Sequence, residues 1–146
     1  MAIRNIIEFN NAKFLKKSRE VVNFDEKLHE LLADMLETLR SVGGYGLAAV
    51  HVGVLKRVIL IDHEEGVIEI INPVVVEVSP ETQHVMEGSI SKNAPRGEVI
   101  RPKGVKVTGF DRFGQEINVS GEDFFAATLC HEIDHLDGIL FSHKIV

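Results

Sequence analysis

The chain has 146 residues, of which 45% are hydrophobic, and a formal net charge of −6. This length and apolar content predict one domain spanning residues 1–146, with enough apolar material for a core. A negative balance of charge gives no electrostatic signature of binding to nucleic acid or to an anionic membrane surface, so we expect neither partner.

The sequence pattern predicts neither a signal peptide nor a membrane-spanning helix. Residues 1–5 do not begin the apolar core of a signal peptide, and no apolar run approaches the roughly 20 residues of a membrane helix. The single cysteine, Cys130, excludes an internal disulfide. A reducing compartment is compatible with that, and we expect a cytoplasmic protein.

A long amphipathic helix is predicted to begin near residues 24–27. Apolar side chains recur behind this start at helical spacing, at Leu28, Leu31, Leu32, Met35, Leu36 and Leu39. Such a stripe indicates core packing rather than a cofactor surface.

Residues 43–53, which follow this helix, read GGYGLAAVHVG. Small residues let the backbone approach a ligand closely, and His51 adds an imidazole near the end of the segment. By itself the pattern is more typical of a helix C-cap, a turn and the start of a buried strand.

The middle of the chain is rich in predicted β-structure. Residues 57–62, 67–71, 74–79 and 83–87 read as short strands separated by Glu-Gly and Asn-Pro turns. Residues 105–110 and 115–119 indicate a hairpin around the turn at 111–114. Strands in the middle and helices at both ends predict an α+β domain, with antiparallel sheets against the C-terminal helix.

The last part of the chain contains an HExxH motif at residues 131–135. Residues 120–123 offer a helix start and Gly138 a stop, so the motif falls within a helix. His131 and His135 then project side by side, with Glu132 next to the position of a metal-bound water. A third ligand must come from upstream or from His143, and His143 is a poor candidate because it lies beyond Gly138.

Three segments in this order resemble the peptide deformylase family, whose motifs are GxGLAAxQ, EGCLS and HExDHLxGxLF. The likeness covers residues 44–49 and 131–141, together with Glu87, Gly88, Ser91, Gly97, Arg101 and Pro102. It implies a deformylase-like fold and removal of the formyl group from the N-terminal formyl-methionine of peptides. The resemblance also implies a ferrous or zinc ion that activates water, with nickel as a further candidate.

The resemblance assigns roles to residues of this chain. Glu132 would accept the proton of the attacking water and pass it to the leaving amine. The backbone N–H of Ile90 would help to stabilise the oxyanion, and the carbonyl of Gly46 would hold the formyl N–H. Glu87 and Arg101 would form a buried ion pair beneath the site.

Two positions depart from the family pattern. Ser89 stands where the family has its cysteine ligand, and His51 where it has the glutamine that donates to the substrate oxygen. A neutral hydroxyl is a far poorer ligand than a thiolate, whereas imidazole is a good one. We therefore expect His51, His131 and His135 to hold the metal in place of a His2Cys set, with Ser89 contributing little. An engineered cysteine-to-serine change would explain Ser89 but not His51.

Two alternatives remain open on these residues. Loss of both family groups would also suit a catalytically inactive deformylase-like protein. A metal hydrolase acting on another small formyl or acyl amide is the second alternative, because Tyr45 and Phe124 are bulky candidates for the substrate pocket, beside Val85 and Ala127.

Family members commonly continue past the Leu-Phe pair as a helix implicated in ribosome contact, and this chain stops at Val146. We therefore do not expect ribosome contact.

Overall fold

The computed structural model describes residues 2–146. Within them, two α-helices enclose seven strands. The helices are α1 (Glu26–Val42) and α2 (Asp123–Leu136), and the strands are β1 (Gly46–Ala48), β2 (Val58–His63), β3 (Gly66–Val78), β4 (Thr82–Glu87), β5 (Gly97–Pro102), β6 (Gly104–Phe110) and β7 (Glu116–Glu122). Short 3-10 helices lie at Ala12–Leu15, Ala49–Val52 and Phe141–Lys144.

The strands form two antiparallel sheets. One has five strands in the order β1-β2-β3-β6-β7, and the other consists of β4 and β5. The turn between β6 and β7 is the predicted one, since the Asp111 carboxylate accepts hydrogen bonds from the backbone N–H groups of Phe113 and Gln115. The predicted α+β class, with antiparallel sheets and a C-terminal helix, is confirmed.

Helix α1 begins and ends at residues suited to those positions. The side chain of Asp25 accepts a hydrogen bond from the N–H of Leu28, and Gly43 ends the helix in the left-handed conformation at φ +68°. The predicted apolar stripe is buried, apart from Leu36, which is partly exposed. It packs on one face of the larger sheet, against Val58 and Leu60 of β2.

Helix α2 covers the opposite face of the same sheet. Leu129 and Leu136 are fully buried there with Ile59 and Ile61. Because successive residues of β2 point to opposite faces, Val58 to Ile61 serve both cores and are all apolar. The sheet is therefore buried between the two helices, which fixes α2 firmly against β1 and β2.

Two boundaries differ from the sequence-based prediction. Residues 66–78 form one strand rather than two, because Asn72 adopts φ +53° in an irregular stretch of the β3–β6 register and does not end the strand. The Asn72 side chain bonds to the backbone N–H and carbonyl of Val21. Strand β7 continues to Glu122 rather than ending at residue 119, because residues 120–122 pair with β6, and α2 begins at Asp123, the last residue of the predicted helix start.

The last residues lie along β5. Ile145 forms a bridge with Val99, and the N–H of Val146 donates to the carbonyl of Glu98 at 2.9 Å. The side chain of Ile145 rests on Gly97, where an added Cβ would lie 2.7 Å from it. No helix within residues 2–146 combines the length and the apolar character needed to cross a bilayer.

Candidate active site

One face of α2 carries the HExxH residues into the interior. His135 is 1% exposed and Glu132 is 4% exposed, and the ring of His131 lies 4.9 Å from that of His135 between centroids. The side-by-side projection predicted from the four-residue spacing is present. Burial of such polar side chains costs free energy unless a partner satisfies them.

His51 joins these residues from the other side of the site. It lies in the 3-10 helix that follows β1, it is 1% exposed, and its ring centroid is 4.7 Å from that of His135. The Nδ1 atom is 3.0 Å from the N–H nitrogen of Ala48 and 3.2 Å from the carbonyl oxygen of Ala48. In the tautomer that donates from Nδ1 to this carbonyl, Nε2 keeps a free lone pair.

Ligand atoms of three buried residues converge at one place. Those of His51, Glu132 and His135 all lie within 4.8 Å of one another. Both ring nitrogens of His135 and Oε1 of Glu132 are buried without a hydrogen-bond partner among residues 2–146. Buried polar atoms without partners are rare, and a cation bound to the unprotonated ring nitrogen of His135 would remove part of that penalty. These residues therefore fit a divalent metal ion.

His131 is held differently. Its Nδ1–H donates to Oε1 of Glu87 at 2.8 Å, so Nε2 is the ring nitrogen that this contact leaves without a partner. His131 is not part of the cluster within 4.8 Å, whereas Glu132 is. The structure thus brings together His51 and His135 of the expected three-histidine set, with His131 oriented beside them by Glu87.

A buried ion network lies beneath His131. Arg101 donates to both oxygens of Glu87, at 2.7 and 2.8 Å, and to Asp134 at 2.7 Å. Lys144 adds a contact to Asp134 at 3.1 Å. The ion pair expected between Glu87 and Arg101 is present, and it fixes the carboxylate that orients His131.

Burial and neighbouring charges set the protonation states of the site. Burial, assisted by the positive charge of His131, lowers the pKa of His51 to about 3, and it lowers the pKa of His135 well below its ordinary value. Burial raises the pKa of Glu132 to about 7. Both imidazoles are therefore neutral at physiological pH, as metal ligands must be, and Glu132 can take up and release a proton near neutrality.

Burial alone would raise the pKa of Glu87, but hydrogen bonds from Arg101 and His131 outweigh it and lower that pKa to about 2. For His131, burial disfavours the charged ring, while the hydrogen bond to Glu87 and the carboxylate of Glu132 raise its pKa overall. A permanently ionised Glu87 keeps a strong acceptor on Nδ1 of His131.

His51 and Glu132 of this cluster, together with His131, line a cleft of about 370 Å³. The glycine segment that leads into β1 forms one wall, and the residues after β4 form the other. The family-implied residues Gly46, Ser89 and Ile90 line this cleft, as do Tyr45, Val85, Phe124 and Ala127. Ser89 Oγ accepts a hydrogen bond from the N–H of Ser91 at 3.1 Å.

Gly46 leaves room for the carboxylate of Glu132. A Cβ at position 46 would lie 2.8 Å from Oε2 of Glu132, closer than real contacts allow. The glycine is needed because the β1 backbone and the carboxylate share this corner of the cleft. The backbone groups at the open edge of β1 therefore lie directly beside the carboxylate of Glu132.

Comparison with known proteins identifies the family to which this chain belongs. The family model described as polypeptide deformylase matches residues 3–146. The chain belongs to the polypeptide deformylase family. A peptide deformylase of Alkaliphilus metalliredigens is 48% identical over 146 residues, which cover 100% of this chain and 99% of that relative. One of Acetivibrio thermocellus is 47% identical and covers 100% of this chain, which spans 85% of that relative.

Solved structures agree with the family assignment. The crystal structure of a peptide deformylase from Thermotoga maritima has a TM-score of 0.96 and 32% identity, over 100% of this chain and 99% of that one. A peptide deformylase of Ehrlichia chaffeensis in complex with actinonin has a TM-score of 0.95 and 33% identity, over 100% and 90%. The fold of this deformylase family member is therefore that of its relatives.

Some features of the site were not foreseen from the sequence. The pairing of Tyr45 with Phe124, whose rings lie 4.9 Å apart, joins two segments about eighty residues apart and has no local signal. Arg96 at the cleft has no motif of its own. The two contacts of His51 with the backbone of Ala48 depend on the 3-10 turn, which the small-residue pattern alone does not indicate.

Proposed function

We propose that this chain is a peptide deformylase, a metal-dependent hydrolase that removes the formyl group from the N-terminal formyl-methionine of peptides. The observation that carries the proposal is the buried convergence of His51, Glu132 and His135, of which His51 and Glu132 line the cleft. Membership of the family, with relatives that match the whole chain, supports the same activity.

The proposed ligands are His51, His131 and His135, with Ser89 as a neutral neighbour rather than a strong donor. Three imidazoles suit ferrous iron, zinc or nickel, and the cleft leaves a further position open for water or substrate. The unpartnered nitrogens of His135 and the orientation of His131 by Glu87 support this set. When bound, the divalent cation lowers the pKa of water and polarises the formyl carbonyl.

The protein groups supply positioning and proton transfer. Glu132 takes the proton of the attacking water and delivers it to the amine that leaves, and its raised pKa of about 7 suits both steps. The N–H of Ile90 donates to the developing oxyanion, and the carbonyl of Gly46 accepts the N–H of the formyl amide. His51, in the position of the family's glutamine, faces the same site from the 3-10 helix that follows β1.

The substrate backbone is proposed to lie as an added strand between the glycine segment and residues 88–90. Val85, Ala127, Tyr45 and Phe124 then form the walls around the methionine side chain. We propose that the protein acts in the cytoplasm on N-formylated peptides.

Formate release from a formyl-Met-Ala-Ser peptide by anaerobically purified protein tests this function. We expect turnover, and Glu132→Gln should reduce kcat by roughly 10²- to 10⁴-fold, the range for loss of a general base. Glu116→Gln, which changes an exposed carboxylate on β7, is the matched control and should retain full activity.

Each other outcome has a definite meaning. A metal-loaded protein that ignores the formyl peptide but cleaves another small acyl amide would contradict the proposed substrate and favour the second hydrolase reading. A protein that binds no metal and shows no turnover would be a catalytically inactive deformylase-like protein.

A further inference from the structure

The mouth of the cleft is lined largely by exposed apolar side chains. Tyr45 is 64% exposed and Phe124 is 49% exposed, and their rings meet edge to face with centroids 4.9 Å apart. Met86 and Val42 lie on the same rim and are 58% and 44% exposed. An apolar rim lowers the local dielectric, so a charge placed among these side chains acts more strongly than on an open surface.

The charged side chains that line the cleft differ sharply in their surroundings. Glu87 and Glu132 are buried, and Glu87 is compensated by Arg101. Arg96 is exposed, and the methylenes of its side chain pack over Gly88, where an added Cβ would lie 3.3 Å from Cγ of Arg96. Arg96 therefore lines the cleft and is exposed to solvent.

Arg96 lacks the partner that several other arginines have. Within residues 2–146, the ion pairs of arginine with carboxylates closer than 4.0 Å involve Arg4, Arg57, Arg101 and Arg112, at 2.6 to 2.9 Å. Arg96 forms none in this part of the chain. A guanidinium at the exit of a substrate cleft has its donor groups free for a planar acceptor.

We propose that Arg96 is a specificity-determining residue that binds a carboxylate in the peptide segment following the formylated methionine. The inference rests on the proposed function, because it takes the cleft as the path of a formyl peptide. The carboxylate has two possible sources, an Asp or Glu side chain and the C-terminal carboxylate of a short peptide. Arg96 sits on the β5 side of the wall whose strand edge would pair with that peptide.

The size of the effect follows from the exposure of Arg96. Exposed charge pairs are weak and screened by salt, so the contribution is to selectivity and not to the chemical step. We expect kcat/KM for an acidic peptide to exceed that for its lysine counterpart by about three- to tenfold at low salt, mainly through KM. The ratio should shrink as ionic strength rises.

The test uses amidated peptides formyl-Met-Ala-X, with Asp, Asn or Lys at X, and a second set with X directly after methionine. Arg96→Gln should abolish the preference for Asp, and Arg96→Glu should reverse it. Lys92→Gln, which removes a nearby exposed cation that does not line the cleft, should leave the preference unchanged. Comparison of formyl-Met-Ala-Ala as the free acid and as the amide shows whether Arg96 also binds the C-terminal carboxylate of the peptide.

Binding of the deformylated peptides, followed by NMR titration, provides a readout that does not need turnover. An Asp preference in binding that Arg96→Glu reverses would support the inference even if no formyl peptide were cleaved, in which case the proposed function alone would fail. Turnover with equal kcat/KM for Asp, Asn and Lys peptides would overturn the inference and leave the proposed function intact. Absence of both turnover and peptide binding would overturn both.

Discussion

At the scale of single residues, Glu87 connects His131 of the candidate metal site to the buried ion network beneath it. One carboxylate oxygen accepts a hydrogen bond from His131 and from Arg101, and the other is held by Arg101. Such outer partners fix the tautomer and orientation of a ligand imidazole. The carboxylate also offsets the charge of Arg101, which is 2% exposed.

Glu87→Gln is therefore expected to weaken metal binding by about 10- to 100-fold, because an amide orients His131 less strongly than a carboxylate. It should also lower the free energy of unfolding by roughly 2–3 kcal/mol, less than for complete loss of a buried pair because Asp134 still contacts Arg101. Competition with a chelator and denaturant unfolding measure the two effects.

Glu98→Gln is the matched control for this change. Glu98 lies on the neighbouring β5, is exposed and pairs with His84 at 3.0 Å. The metal affinity and the free energy of unfolding of the Glu98→Gln variant should stay near those of the original protein. Unchanged metal affinity in Glu87→Gln would show that His131 needs no help from this carboxylate.

Individual site residues were predictable where a local rule applies. The four-residue spacing of His131 and His135 placed them on one helical face, and the family resemblance gave the Glu87–Arg101 pair. The position of Glu132 within the cluster of ligand atoms, and the separation of His131 from it, depend on how α2 packs against the 3-10 helix of His51. No pattern in one segment carries that information.

At the scale of elements, the first residues are fastened to α1 by a carboxylate. Asp34 accepts hydrogen bonds from the N–H of Ala2 and from Arg4, each at 2.8 Å. The hydrogen bond from Arg4, opposed by burial and aided by the N–H of Ala2, lowers the pKa of Asp34. Only the ionised carboxylate makes this full set of contacts.

Since the pKa of Asp34 is lower in the folded state, its stabilisation is present above the ordinary value of 3.8 and is lost as pH falls through the lowered value. Asp34→Asn should therefore destabilise the protein by about 1 kcal/mol at pH 6, and the difference should shrink as pH falls below the ordinary value and through the lowered pKa of Asp34. Denaturant unfolding across this range measures it, with Glu30→Gln on the same helix as control. A difference that is constant with pH would contradict the role of the ionised group.

A second element-scale contact joins the end of the chain to β5. Gly97→Ala would bring a Cβ to 2.7 Å from Ile145, so we expect a loss of roughly 1–2 kcal/mol from overpacking. Ile145→Ala in the same chain should relieve most of that loss, because it removes the colliding atoms. Unfolding of the two single variants and the double variant gives the coupling energy, and strictly additive losses would mean that the two residues do not meet.

The elements themselves were largely predictable, with instructive exceptions. Helical spacing of the leucines gave α1, and the Asp-Arg-Phe-Gly turn gave the hairpin of β6 and β7. The predicted break at Asn72-Pro73 was wrong because the Asn72 side chain bonds to Val21, a partner 51 residues away. The predicted end of the last strand at residue 119 was wrong because residues 120–122 continue the pairing with β6, so α2 begins only at Asp123.

At the scale of the whole molecule, the site is assembled from distant parts of the chain on a buried sheet. His51 comes from the segment after β1, Glu87 and Ser89 from the end of β4, and the HExxH residues from α2. The sheet packs against α1 on one face and against α2 on the other, so these parts keep fixed relative positions. Long-range packing thus brings His51, from the segment after β1, next to His135 and Glu132 of α2.

The most direct test of this account is the metal content of protein purified under anaerobic conditions, compared among the original chain, His51→Ala and Ser89→Ala. We predict close to one bound divalent ion per chain in the original protein and in Ser89→Ala, and a loss of at least about tenfold in affinity in His51→Ala. Anomalous diffraction should locate the ion between His51, His131 and His135. A metal retained by His51→Ala but lost by Ser89→Ala, or no metal in any of the three, would contradict the account.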